Sequence, residues 1–331
     1  MDYREIQDLC MKYGLGNLQA GPEKVTGGLL HKMYHIKTNC GEYALKVLKP
    51  DIMRRPGAYD NMVNSERVAQ LLKDRIPLIG AKCLNGKNLI ERNKKYCFVY
   101  EWIEGKSVFV PEISDEHCKK IGEILGKIHA ADVCLDGLSE EQDSRSAYDW
   151  KRLLREAEQT NNPCFCTIEQ WIEKLEEWDE KVITYQKEVK SKQVISHRDL
   201  DPKNVMWSGE MPCVIDWEAA GYIPPYQELL AAIYDWTTNE NGEYDDRKIM
   251  ALLTGYTEFM NISHVNWDAF FAVSFDGRLG WLEYCVRKVL GEEEPEQKEV
   301  QDKIEQINKN LFELEKCEKE QQKIRRIIEK V

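Results

Sequence analysis

Residues 194–207 read VISHRDLDPKNVMW, and residues 214–218, a short way on, read VIDWE. Asp and Asn between apolar runs are ordinarily turn formers, because their side chains bond their own backbone. On that ground alone the segment is an irregular hairpin. It nevertheless gathers His197, Asp199, Asn204 and Asp216 into one short stretch, framed by strand-like apolar residues. What the rest of the chain carries decides between a turn and a chemical site.

The chain has 331 residues, 42% hydrophobic and 31% charged, which suits a globular protein of one large or two moderate domains. The N-terminal MDYREIQDLC lacks the apolar core of a signal peptide, and the longest apolar runs are too short to span a bilayer. No membrane partner and a cytoplasmic location are expected. Eleven cysteines form no spaced framework, and the close pair Cys164 and Cys166 has no His or further Cys nearby to complete a zinc tetrad. Free thiols in a reducing compartment are the expectation.

Charge is unevenly distributed. Residues 1–103 hold 17 Lys and Arg against 11 Asp and Glu, a net of +6, whereas residues 104–331 carry −18. Of that deficit, −15 lies in residues 104–290 and only −3 in the tail. Such a field disfavours nucleic acid as a partner and suits a cationic small molecule; solubility alone is the simpler account of it.

From Val25 to Tyr100 the pattern is a small sheet with one helix. KMYHIKT and YALKVL alternate like the strands of a hairpin around NCGE, YDNMVNSERVAQLLKD has helical spacing, and IPLIGAKCL and KYCFVYEWI read as two further strands split by NGKN. After Gly105 the periodicity becomes helical. SDEHCKKIGEILGKIHA opens with Ser114 or Asp115 as N-cap and places Cys118, Ile121, Leu125 and Ile128 on one face. A second helix carries Trp171, Leu175, Trp178, Val182 and Tyr185 as a core-facing stripe. The C-terminal stretch, with Ile304, Ile307, Leu311 and Leu314 in register, is expected to dock as a terminal helix, since its heptad is too short for a coiled coil. The expected division is an N-terminal lobe, 1–103, and a helical C-terminal lobe with the terminal helix, 104–331.

Phosphoryl transfer asks for a carboxylate near the acceptor hydroxyl, oxygen ligands for Mg²⁺ and a cation on the nucleotide phosphates. Asp199 suits the first role, and Asn204 with Asp216 the second. Lys46, on the strand YALKVL with apolar neighbours along its stem, suits the third, and Glu66 on the following helix is placed to pair with it. Each residue alone is ordinarily a solvated side chain; their agreement is what points to chemistry.

The segments TGG (26–28), YALKV (43–47), SERVAQLL (65–72), FVYEWIEG (98–105), ILGKIHA (124–130), SHRDLDPKNVMW (196–207) and VIDWEAAG (214–221) together resemble the aminoglycoside phosphotransferase family, related to choline kinases and more distantly to protein kinases. The likeness runs in order from about residue 20 to 230. It implies an α+β, two-lobed protein-kinase-like fold, with a small antiparallel sheet lobe bearing one helix and a larger, mainly helical lobe. It further implies an ATP- or GTP-dependent kinase, with Asp199 as base or hydroxyl-positioning group, His197 supporting the catalytic loop, and Asn204 and Asp216 on Mg²⁺. By the same likeness Lys46 holds the α and β phosphates, Glu66 fixes Lys46, Glu101 and Ile103 offer backbone groups to the purine in front of Tyr100, and Thr26, Gly27 and Gly28 form the phosphate loop.

Two departures stand out. The loop reads TGGLLHKMY rather than GxGxxG, and the IDW segment continues with Glu218, either a second metal ligand or a local pairing partner. The chain after Asp216 leaves no room for a long activation loop or an APE motif, so a small acceptor is expected rather than a peptide. Asp235, Trp236, Trp281 and Glu283 are the candidate acceptor contacts, the acids for an amine and the rings for a quaternary ammonium. An aminoglycoside-like acceptor, a metabolic one (choline, ethanolamine, a sugar or an amino alcohol) and a pseudokinase scaffold are the three readings, with a monomer expected for each.

Overall fold

The computed structural model describes residues 1–25, 31–140, 144–291 and 297–331, the last with backbone alone at 297–299. It has the expected two-lobed α+β architecture. The chain falls into two compact units: unit 1 comprises Met1–Ile113, Lys127–Ser139 and Ile195–Tyr222, and unit 2 comprises Ser114–Gly126, Glu140–Val194 and Ile223–Val331.

Unit 1 is built on a five-stranded antiparallel sheet in the order β1-β2-β3-β5-β4, from β1 (Glu23–Val25), β2 (Lys32–Thr38), β3 (Gly41–Val47), β4 (Ile90–Arg92) and β5 (Lys95–Glu101). The β2–β3 hairpin turns where the sequence places NCGE, and its register sets Met33 opposite Lys46. Alternation then sends Tyr43, Leu45 and Val47 to one face, where they pack with Ile6, Leu9 and Cys10 of helix α1 (Tyr3–Lys12). On the other face Phe98 packs with Met62 of helix α3 (Ala58–Leu72), which follows the single-turn α2 (Pro50–Met53).

One expected strand is not formed. IPLIGAKCL, residues 76–84, is apolar enough for a strand, but its backbone bonds are divided among different partners. Ile79 N–H donates to Val214 O and Lys82 N–H to Val99 O, while Pro77 has no N–H to give and accepts from Val214. The fourth strand lies instead at Ile90–Arg92, after the NGKN turn.

The remaining strands of unit 1 carry the motif segment. A three-stranded sheet joins β6 (Lys106–Ser107) to the hairpin of β8 (Val205–Ser208) and β9 (Met211–Val214), with β7 (Val194–Ser196) entering the segment and β10 (Gly221–Ile223) leaving it.

Unit 2 is helical. Helix α4 (Asp115–Ala130) begins in it, capped by Ser114, whose Oγ accepts the His117 N–H. The expected face of Cys118, Ile121, Leu125 and Ile128 is fully buried. Helix α5 (Trp150–Gln159), helix α6 (Phe165–Val189), helix α10 (Asp276–Leu290) and helix α11 (Gln297–Ile328) share one core around Leu175, Trp178 and Val182, with Ile307, Leu311 and Leu314 from the terminal helix. That helix keeps burying residues past Leu314, at Cys317, Ile324, Ile327 and Ile328. Helices α7 (Pro225–Trp236), α8 (Asp246–Thr257) and α9 (Trp267–Val273) complete the unit. All eleven cysteines are unpaired. Among the described residues no helix is long and apolar enough to cross a membrane.

Helices α4 and α8 cross at glycines on both sides. A Cβ at Gly122 would lie 2.0 Å from Leu252 O, and one at Gly255 would lie 2.1 Å from Lys119 O. The Gly122→Ala variant is therefore expected to lose about 1–3 kcal/mol of stability through forced separation of the helices. A denaturation midpoint equal to that of the wild type would show that the backbones do not meet this closely.

Candidate active site

The site is assembled within unit 1 by four pieces of chain: the β2–β3 hairpin, helix α3 with the segment that follows it, β5 with the residues just after it, and residues 195–222. Lys46 is 6% exposed, and its ammonium lies 2.9 Å from Asp216 Oδ1 and 2.5 Å from Glu218 Oε1. Burial favours a neutral amine, but the two carboxylates outweigh it and hold the Lys46 pKa above the ordinary lysine value. For Asp216, burial pushes the pKa up and Lys46 more than reverses it, leaving the carboxyl below its usual range.

Glu66 does not form the expected ion pair with Lys46. It is 3% exposed, its Oε2 accepts the Ala81 N–H at 2.6 Å, and its Oε1 accepts the Tyr100 hydroxyl at 2.9 Å. Asp216 and Glu218, both on the turn after β9, reach the ammonium, and Glu66 is turned to fixed donors on its own side. Burial raises the Glu66 pKa, opposed by those two hydrogen bonds. The Tyr100 hydroxyl is held well above its ordinary value by burial and by Glu66 beside it, and so remains a donor.

The motif segment is tied together by His197, which is fully buried. Its Nε2–H donates to Ile215 O at 3.0 Å, and its Nδ1 accepts the Asp199 N–H at 3.3 Å. The ring thereby joins the residue before Asp216 to Asp199, and it meets Trp217 edge-on at 4.7 Å. Asn204, 3% exposed, donates through Nδ2 to Asp199 O and Asp199 Oδ2, both at 2.8 Å. That orientation leaves Asn204 Oδ1 as the available oxygen. Lys203, which the sequence reading passed over, places its ammonium 3.2 Å from Asp199 Oδ1 and also on Asp201.

His31 was likewise not read from the sequence. Its Nδ1 accepts the Lys49 N–H at 3.1 Å and its Nε2 lies 3.0 Å from Glu218 Oε2. A lone His three residues past a glycine pair gives no pattern from which to find it.

At the end of β5, Trp102 N–H donates to Glu42 O on β3. Strand alternation directs the neighbouring Glu101 carbonyl and Ile103 N–H to the opposite edge, where β4 pairs with β5 only as far as Cys97. Among the described residues no strand takes that edge beyond Cys97. Thr26, Gly27 and Gly28 lie outside the described residues.

The four candidate acceptor residues belong to unit 2. Trp236 is fully buried on α7, so this candidate's ring is core packing and offers no face to a ligand. Asp235 beside it is exposed. Trp281, 46% exposed, stacks on Tyr284 at 5.2 Å, and Lys303 lies over both rings, 4.5 Å from the Trp281 centroid. These faces already hold a cation from the chain itself. Glu283 is half-buried and lies 3.5 Å from Arg287.

Among the described residues no group of three or more His, Cys, Asp or Glu forms a metal cage. The oxygens at hand are Asn204 Oδ1 and the carboxylates of Asp216 and Glu218. Such a small, hard set suits Mg²⁺, which keeps waters and shares substrate phosphates rather than filling an all-protein cage.

Replacing Tyr100 with Phe strips Glu66 of one donor and is expected to cost about 1–3 kcal/mol. The sign with pH follows from the raised Glu66 pKa. Losing a donor raises the folded value further, so the deficit is small below the already raised folded value of the wild type and grows as pH rises through it. Thermal melts of Tyr100→Phe and wild type should therefore diverge more near pH 7 than near about pH 4; a constant gap would show that Glu66 does not depend on the hydroxyl.

The sequence model of the phosphotransferase enzyme family matches residues 22–261. Homoserine kinase of Methylobacillus glycogenes is 25% identical over 294 residues, spanning 85% of this chain and 84% of that protein. Among solved structures, spectinomycin phosphotransferase in complex with ADP and spectinomycin superposes with a TM-score of 0.66 at 15% identity, covering 93% of this chain and 94% of that one. Choline kinase from Cryptosporidium parvum superposes with a TM-score of 0.58 at 13% identity over 98% of each chain. The two structural likenesses establish the fold.

Proposed function

Because the chain belongs to the phosphotransferase enzyme family, we propose that it transfers the γ-phosphoryl group of ATP or GTP, in line, to a hydroxyl of a small cationic acceptor such as an aminoglycoside. The observation that most supports this is the Lys46 ammonium bridged to Asp216 and Glu218 in the same unit that holds Asp199 against Asn204. A turn-forming role for these residues needs no buried lysine.

Lys46 grips the nucleotide phosphates, a role that its buried stem and the ammonium drawn to Asp216 and Glu218 suit. The open edge of β5 at Glu101 and Ile103 receives the purine, with Tyr100 behind it. Asp199 accepts the hydrogen bond or proton of the acceptor hydroxyl. Asn204 fixes one of its oxygens and Lys203 the other, so the carboxylate is oriented before the acceptor arrives. Half-exposed, Lys203 also offers positive charge next to the group in transit. His197 acts through the backbone, setting Asp199 against the Ile215 carbonyl. Asn204 Oδ1, Asp216 and Glu218 would hold Mg²⁺, whose chemistry when bound is to neutralise charge on the phosphoryl oxygens.

A second reading, a metabolic amino-alcohol kinase, is favoured by the homoserine kinase relative, which is matched over most of both chains. Homoserine, spectinomycin and choline each join a nitrogen-bearing group to a hydroxyl, in keeping with the acidic balance of residues 104–290. Lys46, Asp199, Asn204 and Asp216 standing together argue against a scaffold without catalysis.

The test is nucleoside-diphosphate release with Mg²⁺ and ATP or GTP across aminoglycosides, homoserine, choline, ethanolamine and simple sugars. Acceptor-dependent release is expected, falling by at least about a hundredfold in Asp199→Asn while nucleotide binding is kept. Asp216→Ala should instead weaken Mg²⁺-nucleotide affinity by calorimetry. Wild-type turnover in Asp199→Asn would remove that residue from catalysis.

A further inference from the structure

His31 stands immediately before β2, its side chain 3% exposed, and both of its ring nitrogens are engaged. Because Nδ1 accepts the Lys49 N–H, the ring proton sits on Nε2, which donates to Glu218 Oε2 at 3.0 Å. The other oxygen of Glu218 is taken by Lys46. These two contacts come from one hairpin. Met33 lies opposite Lys46, and His31, two residues before Met33, continues the same face.

A histidine that only pinned the end of this hairpin would need nothing beyond the Lys49 N–H. The bond to Glu218 is additional, and its chemistry is selective. A neutral imidazole N–H orients a carboxylate without cancelling its charge, whereas a second ammonium would neutralise it. Carboxylates that ligate metals are commonly held by such an outer donor, and losing it costs about 10–100-fold in metal affinity.

We propose that His31 is a positioning residue that aims Glu218 into the metal-nucleotide site, making Glu218 a metal ligand rather than a local pairing partner; this rests on the phosphotransferase reading above. The hairpin that carries Lys46 to the phosphates then also sets the acid that serves the metal, through a residue adjoining the expected phosphate loop.

The experiment measures free Mn²⁺ by electron paramagnetic resonance as it is titrated into the purified chain with ADP, with thermal melts run alongside. His31→Leu is expected to weaken Mn²⁺ binding about tenfold or more. His31→Gln should retain most of the affinity, because its amide supplies both an acceptor and a donor. Combining His31→Leu with Glu218→Gln should bind no more weakly than Glu218→Gln alone, since the two changes remove one interaction. The proposal is overturned if His31→Leu lowers the melting temperature but leaves Mn²⁺ affinity intact, if His31→Gln is as weak as His31→Leu, or if the two losses add. Affinity lost in Asp216→Ala but not in the His31 or Glu218 variants overturns it while leaving the phosphotransferase reading standing. A wild-type chain that takes up no Mn²⁺ with ADP overturns both.

Discussion

An ammonium removed from water must find counter-charge, and Lys46 finds it in Asp216 and Glu218. An unpaired buried charge costs several kcal/mol, and breaking one side of a buried pair costs about 3–5 kcal/mol. The lower end applies to Asp216, whose side chain is 42% exposed and partly screened by solvent. This need ties β3 of the sheet to the turn after β9, far along the chain. The same turn, Trp217–Ala219, packs against α3. Residues 195–222 belong to one compact unit with the N-terminal sheet because charge pairing and packing act on the same few residues.

Two non-glycine residues in this segment hold left-handed backbone, Arg198 at φ 67° and Asp216 at φ 61°. Each such conformation costs roughly 1–3 kcal/mol and persists where its surroundings over-determine it. Here the over-determination is visible. His197, next to Arg198, bonds both Asp199 N–H and Ile215 O, and Ile215 N–H donates to Asn204 O. The strain sits beside Asp199 and at Asp216 itself, and one buried imidazole spans the two positions.

Much of this was legible in the sequence, because periodicity and spacing report local structure well. The hairpin around NCGE, helix α3, and the faces of α4 and α6 follow from alternation and from steps of three and four. Lys46, Asp199, Asn204 and Asp216 stand out because three independent requirements of one reaction coincide in them. What stayed hidden is competition. Sequence shows that Glu66, Asp216 and Glu218 are acids but not which reaches Lys46, and Glu66 was captured by Ala81 and Tyr100. Residues 76–84 have strand composition, yet hydrogen bonds to two different partners keep them out of a strand. Trp236 and Trp281 look alike in the sequence; only packing makes one core and leaves the other exposed beneath Lys303.

Charge counting shows why this cluster is unlike an ordinary structural ion pair. Asp216 and Glu218 bring two negative charges, Lys46 brings one positive, and His31 is a neutral donor by virtue of its bond from Lys49. The group is left one charge short of neutrality, with Lys46 and Glu218 mostly shielded from water and Asp216 partly screened by it. A protein seeking only stability would close such a gap with a second cation or with apolar residues of similar size. Leaving it open, with Asp216 in reach of solvent and Asn204 Oδ1 turned away from its own hydrogen bonds, favours further positive charge at those oxygens, which is the condition a metal-assisted phosphoryl transfer requires.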